Sequence, residues 1–499
     1  MIMIPAWVAQ GLSFLATLFV SAIALAVLAV VVLFVVDKTQ NKDAVRHNFP
    51  VLGRFRYLFQ FLGEFFRQYF FAMDREELPF NRAEREWVSR AAENESNTVA
   101  FGSTRNLNGV GTHIFVNAPF APLDRDIAPM QSLRIGEGCR HPYDASSFFN
   151  VSGMSYGAIS KPAVLALSRG AKMGGFWLNT GEGGISPYHL EGGGDLIYQM
   201  GTAKYGARND DSTLNEEKLR EVTAHEQVKM IEVKLAQGAK PGKGGILPAE
   251  KVTQEIASIR GIKAGEASIS TNRHVEISNI EELLDFIVRV RDITGKPTGF
   301  KTVIGDEYWM DDLCAAIVKR GVDTAPDFIT VDGGNGGTGA APMSLMDNVG
   351  LILKEALPIV SDALHKHGLR DRVRVIASGK LINPTDVAWA LAAGADFVNS
   401  ARGFMFSLGC IQALKCNKNT CPTGITTHNP RLQEGLDPKE KSARVMHYHN
   451  NLVHEVEVIA HSCGVAEPRE LRRKHVRIVQ STGLSIAMDK LYPRPKKVA

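Results

Sequence analysis

Eight short apolar runs, at 148–151, 176–179, 197–200, 230–235, 299–304, 328–331, 373–377 and 397–399, constrain this chain more than any other feature. Amphipathic helical stretches separate many of them, for instance 161–173, 280–290, 311–320 and 385–393. Strands that alternate with helices predict a parallel sheet, because a parallel neighbour is reached only through a crossover. Eight such strands predict an α/β fold, a (β/α)8 TIM barrel, with a doubly wound open sheet as the alternative.

Nearly every run leads into a glycine-rich or polar signature on its C-terminal side, where barrel enzymes keep their chemistry. In order these are Ser152-Gly-Met-Ser-Tyr-Gly157, Thr180-Gly-Glu-Gly-Gly184, Gln199, Gln237-Gly-Ala-Lys-Pro-Gly242, Asp332-Gly-Gly-Asn-Gly-Gly-Thr-Gly339, Ser378-Gly-Lys380 and Ser400-Ala-Arg-Gly403. A single such loop is a tight turn and nothing more; a ring of them surrounds one ligand. The last two stand where barrels hold a phosphate, so Gly379, Lys380, Ala401, Arg402 and Gly403 are expected to grip one.

Half of the six cysteines crowd into Cys410-Ile-Gln-Ala-Leu-Lys-Cys416-Asn-Lys-Asn-Thr-Cys421-Pro. Three thiolates with a trailing Cys-Pro suit an iron–sulfur centre, read as a three-iron cluster, better than structural zinc with its four ligands. Three ordinary buried thiols are the alternative. The other cysteines, Cys139, Cys314 and Cys463, are scattered singly, which predicts a reducing compartment. A net charge of only +4, with no basic stripe interleaved with aromatics, argues against nucleic acid as a partner.

No charged side chain occurs in residues 1–36, and the apolar run there exceeds the ~20 residues that span a bilayer. A transmembrane anchor is therefore expected over 1–36, in preference to a cleaved signal peptide. Six Lys or Arg follow it before Phe70 and none precedes it, which predicts an inner-membrane, single-pass protein with a cytoplasmic catalytic domain. The segment 37–73 carries an aromatic helical stripe, read as a helix lying in the membrane interface or else packed by that stripe on the catalytic domain. Residues 74–147 read as a lid or pre-barrel layer, 148–430 as the barrel with its cysteine motif, and 431–499 as a helical extension with a basic tail. That tail, Leu471-Arg-Arg-Lys474 and 493–497, is a candidate contact for anionic lipid. His447, His449, His454 and His461 read as solvated or packed histidines rather than metal ligands.

With these motifs on the page, the chain resembles the FMN-binding domain of glutamate synthases, in the short form that lacks a glutaminase domain. The resemblance runs from about Phe148 to about Asn429 and rests on Val151-Ser-Gly-Met-Ser-Tyr-Gly-Ala-Ile-Ser160, Asn179-Thr-Gly-Glu-Gly-Gly184, Gln237-Gly-Ala-Lys-Pro-Gly242, Thr330 to Pro342 and the cysteine motif. It implies that Cys410, Cys416 and Cys421 hold a [3Fe-4S] cluster. It likewise implies that Met154, Ser155, Thr180, Gln199, Lys234, Lys301, Gly333, Gly334, Gly379 and Lys380 surround FMN. Lys301 would face the flavin N1 and O2 edge, the alternative being a lysine ion-paired at the barrel mouth. Lys240 and Arg260 would hold the carboxylates of a 2-oxo acid, with Glu182 beside the reacting carbon. Ile246 departs from the family's glutamine, and the stretch 267–276 from its proline- and histidine-rich segment, so this wall of the pocket is expected to be remodelled.

The resemblance implies an oxidoreductase acting on CH–NH2 donors. It would carry out reductive amination of a 2-oxo acid, 2-oxoglutarate to glutamate, with electrons from a donor protein, a ferredoxin or reductase. The chain shows neither a glutaminase start nor a nicotinamide-binding G-x-G-x-x-G, so ammonia and electrons are expected to come from elsewhere. Two other readings stay open: a subunit of the N-methylglutamate synthase type, and a flavin and iron–sulfur electron-transfer module without an amino-acid substrate. A homo-oligomer is left open as well.

Overall fold

The structure is a computed structural model that describes residues 5–127 and 130–498. It divides into two units, Met1–Ala83 and Glu84–Ala499.

The first unit opens with α1 (Ala6–Thr39), 34 residues that are apolar and exposed along almost their whole length. At 1.5 Å per residue it reaches about 50 Å, more than the ~30 Å hydrocarbon core of a bilayer. The first four residues of the expected anchor lie outside the described residues. The helix runs three residues beyond position 36 and buries one side chain, Asp37. The Asp37 carboxylate accepts from Arg46 Nε at 3.0 Å, Arg54 Nε at 2.7 Å and the Val51 amide at 3.1 Å. Two of the six basic residues that follow the span are therefore paired, and the chain turns there into α2 (Leu52–Phe66). The aromatic stripe of α2 is exposed, Phe59 at 66% and Phe65 at 56%.

In the second unit the eight expected runs all form strands: β1 (Phe149–Val151), β2 (Leu178–Asn179), β3 (Leu196–Met200), β4 (Val228–Lys234), β5 (Thr298–Thr302), β6 (Phe328–Asp332), β7 (Arg374–Ser378) and β8 (Phe397–Ser400). They pair in parallel in chain order, and Val398 of β8 opposite Phe149 of β1 closes the barrel. Most strand residues are buried on both faces, which is why each reads as a continuous apolar run rather than an alternating one.

Local signals set the helices around this sheet. In α3 (Lys161–Gly174) the Ser160 side chain caps the first turn by accepting from the Ala163 amide, and Gly175 closes the last at φ 69°. Lengthwise along α3 packs α4 (Pro438–Ser462), which comes after the last strand. Gly170 of α3 makes room for it, since a Cβ there would lie 2.4 Å from Val445 Cγ1. His449 is buried on this helix, stacked 4.1 Å from the Phe176 ring, with Nε2 2.8 Å from Ser147 Oγ.

The opposite end of the barrel is plugged by part of the stretch 74–147. Its antiparallel hairpin, Leu133–Ile135 with Tyr143–Ala145, buries Ile135, Tyr143 and Ala145 against Trp177, Ile197, Met230, Phe328, Ile376 and Phe397. Trp177, Ile197, Phe328 and Phe397 stand at or next to the N-terminal ends of their strands, so the bottom is sealed and the C-terminal mouth is left for chemistry. Strand His113–Phe115 pairs instead with Val476–Val479 from the C-terminal region. In that region Arg473 is turned inward, with both terminal nitrogens on Asp362 at 3.0 and 2.7 Å, so it is not a lipid contact.

Candidate active site

The loops at the C-terminal ends of the strands converge on a cleft of about 1030 Å³. Beside it lies a second chamber of about 420 Å³. The two share Gly153, Gln237, Lys301, Gly337, Ala401 and Arg402 in their walls. The larger brings together Met154, Ser155, Glu182, Gln199, Lys234, Lys240 and Arg260, together with Cys416. The smaller takes Gly379 and Lys380, with Ser378, Asn399 and Ser400.

Thr180, Gly333 and Gly334 line neither chamber and hold the wall from behind. Thr180 Oγ1 donates to the Gly181 carbonyl at 3.1 Å and accepts from the Gln199 amide at 3.1 Å. The Gly333 amide donates to the Ser378 carbonyl at 2.9 Å. A Cβ on Gly334 would stand 2.4 Å from the Gly350 carbonyl oxygen.

Charge in the larger cleft includes two ion pairs, Lys234 with Glu182 and Lys301 with Asp332, beside cations that face no carboxylate. Lys234 Nζ lies 3.1 Å from Glu182 Oε1 and donates to Gln237 Oε1 at 2.7 Å. Burial pushes the Glu182 carboxyl up, but Lys234, Lys240 and Arg260 outweigh it and hold the group below the usual carboxylate range. Its position is further defined by two glycines: a Cβ on Gly245 would lie 2.2 Å from Oε1, and one on Gly201 2.7 Å from Oε2. Lys301 pairs with Asp332 Oδ2 at 3.1 Å, and Asp332 also accepts from the Gly238 amide at 2.9 Å. Burial works against the Lys301 charge, yet Asp332 and Glu232 raise its pKa overall, so it stays an ammonium. Lys301 is thus ion-paired at the mouth, and it lines both chambers.

Lys240 and Arg260 have no carboxylate within ion-pair distance among the described residues. Lys240 is 6% exposed, and burial together with the neighbouring Lys234 pushes its pKa down to about 8. Arg260, at the end of the helix Gln254–Arg260, is 4% exposed. Its guanidinium donates to the Tyr156 carbonyl at 3.2 Å and to Ser268 Oγ at 3.3 Å, lies over the Tyr205 ring at 5.1 Å, and leaves Nε without a partner. A buried cation held only by neutral groups is costly, so the pair argues for an anionic ligand. Ile246 stands in the wall of this cleft, 38% exposed, in an antiparallel pair with Ile269. The divergent stretch 267–276 thus forms part of the pocket wall, Ser270 included.

Beneath the floor, the buried Glu232 carboxylate accepts from Asn179 Nδ2 at 2.8 Å, Gln199 Nε2 at 2.6 Å and Thr330 Oγ1 at 2.6 Å. This fixes Gln199 with its amide nitrogen turned to the protein. Arg402 lines both chambers; it donates to the Thr338 carbonyl at 2.6 Å and reaches Cys416 Sγ at 3.8 Å.

The three motif cysteines are near neighbours. Burial, with Cys416 and Cys421 close by, raises the Cys410 thiol. Burial pushes the Cys421 thiol up, but hydrogen bonds from Thr423 and Thr426 outweigh it and lower its pKa. Among the described residues no three His, Cys, Asp or Glu side chains meet as a single metal ion would need. Sequence reasoning missed one residue of this region, Lys251. Only 2% exposed, it lines the cleft and donates to the carbonyls of Ala158 at 3.0 Å and Cys416 at 2.9 Å. Nothing in its turn, Pro248-Ala-Glu-Lys251, marks it; only tertiary structure brings both loops to it.

A family model described as a conserved region in glutamate synthase matches residues 113–466. The glutamate synthase large subunit-like protein YerD of Bacillus subtilis (strain 168) is 39% identical, over 92% of this chain and 94% of that protein. The archaeal glutamate synthase (NADPH) of Methanocaldococcus jannaschii is 34% identical, over 66% of this chain and 61% of its own length, so the chain spans less than two thirds of that relative. Mandelate oxidase with (S)-2-phenylpropionate, a solved structure, is similar over 79% of this chain and 98% of its own at 16% identity and a TM-score of 0.45, too distant to carry an argument. On the family match and the near full-length relative, the chain belongs to the glutamate synthase family, whose members are oxidoreductases acting on amino-acid CH–NH2 donors.

Proposed function

We propose that this protein is a membrane-anchored oxidoreductase that uses FMN and a [3Fe-4S] cluster to interconvert a dicarboxylic 2-oxo acid and its amino acid, 2-oxoglutarate and glutamate in the first instance. The observation that carries the reading is the pair of buried, carboxylate-free cations, Lys240 and Arg260, beside the Glu182–Lys234 ion pair.

The smaller chamber supports FMN. Gly379 sits there at φ 133°, where a Cβ would approach the Gly333 amide at 3.2 Å, and Lys380 stands beside it at φ 56°. Ser378, Gly379 and Lys380 would hold the phosphate, and Lys301, between the chambers, would face the ring. FMN, when bound, exchanges a hydride with the substrate carbon. Cys410, Cys416 and Cys421 would hold the cluster, which when bound passes single electrons from a donor protein, a ferredoxin or reductase. The remaining work belongs to the chain. Lys240 and Arg260 clamp carboxylates and orient the reacting carbon. Glu182, kept ionised and fixed between Gly201 and Gly245, accepts the N–H of an amino or imino group and moves its proton. Ile246, Leu247 and Met405 line the same cleft and limit water. Ammonia is supplied from outside.

Single-pass insertion through α1, with the second unit in the cytoplasm, is part of the proposal; its support is the helix itself, 34 residues long with no charged side chain before Asp37. Ile246 favours a second reading, in which N-methylglutamate or another amino acid replaces glutamate, or in which the chain only transfers electrons. The test is anaerobic: reoxidation of reduced flavin by a panel of 2-oxo acids with ammonia, alongside reduction of oxidised flavin by glutamate and N-methylglutamate. A spectral change with a dicarboxylic member supports the proposal. A flavin that no member changes would leave the electron-transfer module as the better account.

A further inference from the structure

Lys251 stands between the loop after β1 and the cysteine motif. It ends the short turn Ala249–Lys251, and its ammonium reaches two loops that are far apart in the chain, Ala158 after β1 and Cys416 in the cysteine motif. Both carbonyls belong to residues that line the large cleft. Two of its three donors are thereby satisfied. No carboxylate stands within ion-pair distance of it among the described residues, although a buried ammonium is costly without a counter-charge. Nearest in character to a counter-charge are the sulfurs of Cys416 and Cys421, close enough to act on its charge. A three-thiolate cluster carries net negative charge, and the potential of such a centre depends on the charge and hydrogen bonding around its sulfurs.

We propose that Lys251 is a positioning residue that staples the cysteine loop to the β1 loop and supplies the buried positive charge against which the cluster is reduced. This rests on the cluster reading above. Its ammonium is held by two backbone carbonyls, and it acts through the Cys416 loop. Reduction adds one electron to the cluster, and a fixed cation beside it stabilises the more negative product. Removing that cation makes the cluster harder to reduce while leaving the flavin less affected.

The experiment uses the full chain, purified anaerobically in mild detergent, as parent, Lys251→Met, Lys251→Gln and Lys251→Arg. Iron and FMN per chain are measured, the cluster is titrated by its paramagnetic signal, and the flavin by its visible spectrum. In Lys251→Met and Lys251→Gln the cluster's reduced-to-oxidised ratio at a fixed potential should fall about tenfold, equivalent to about 59 mV for one electron. Lys251→Arg should stay within about threefold of the parent, and flavin content should hold in all. Should Lys251→Met lose its cluster, Lys251→Gln, which keeps a donor without the charge, decides the matter. A parent with iron and a neutral variant titrating like it would overturn the role of Lys251 alone. A parent with no iron would overturn the cluster reading itself.

Discussion

Replacing Arg260 by methionine sets binding against stability, and the structure gives the sign of each. In the unliganded protein the guanidinium is 4% exposed, donates only to neutral groups and faces no carboxylate at ion-pair distance. Exchanging a buried charge for an apolar side chain of similar length is often neutral or stabilising by ~1–4 kcal/mol. Against that stand the lost hydrogen bonds, ~1 kcal/mol each, and the cation–π contact with Tyr205, about 2 kcal/mol when desolvated. The losses, with three hydrogen bonds, come to about 5 kcal/mol and are only partly offset, so the unliganded melting midpoint should fall by several degrees at most. Substrate binding has no such compensation. Loss of one charge-assisted pair removes ~1.5–3 kcal/mol, which weakens affinity by roughly ten- to a hundredfold. Equilibrium titration of the flavin spectrum measures the affinity, and a thermal melt without substrate measures the stability. A variant that melts far lower yet binds dicarboxylic acids like the parent would refute the reasoning, since Arg260 would then be a structural residue and not an anion clamp.

The Lys240 pKa of about 8 predicts a pH limit to binding. Dicarboxylate affinity should be flat below pH 8 and fall towards tenfold per unit above it, until the pKa of the complex, raised by the bound anion, is passed; Lys240→Met should bind weakly with no break near 8. For the unliganded fold the sign is opposite, because burying the charged form costs stability below about pH 8, a cost that disappears as pH rises towards the ordinary value of 10.5. Gly245→Ala would place a Cβ 2.2 Å from Glu182 Oε1, so kcat/KM should drop about a hundredfold with FMN retained, as steady-state rates and flavin absorbance will report. A reporter fused after Ala499 should be active in its cytoplasmic form and silent in its periplasmic form; the reverse would overturn the orientation read from the basic residues after the span.

What this sequence determined by itself is whatever depends on near neighbours. The eight strands were legible because barrel strands are buried on both faces and so form unbroken apolar runs, bounded by the turn residues of the mouth. The same holds for α1, whose length and apolarity are local properties, and for the cysteine motif, whose spacing lies within a dozen residues. The positions lining the cleft, from Met154 to Arg402, could be named because a parallel barrel brings every loop after a strand to one end. What only the tertiary structure decided depends on groups distant in the chain. The hairpin 133–145 closes the bottom of the barrel because Ile135 and Tyr143 meet residues of six separate runs. Asp37 ties down Arg46 and Arg54, two of the six basic residues counted after the span. Arg402, in the wall of both chambers, also reaches Cys416, and Thr180, Gly333 and Gly334 support the wall from behind it. Lys251 is the sharpest case: its turn is unremarkable, and its two partners lie 93 residues before it and 165 after it, so a buried ammonium between two loops becomes visible only when the chain has closed around it.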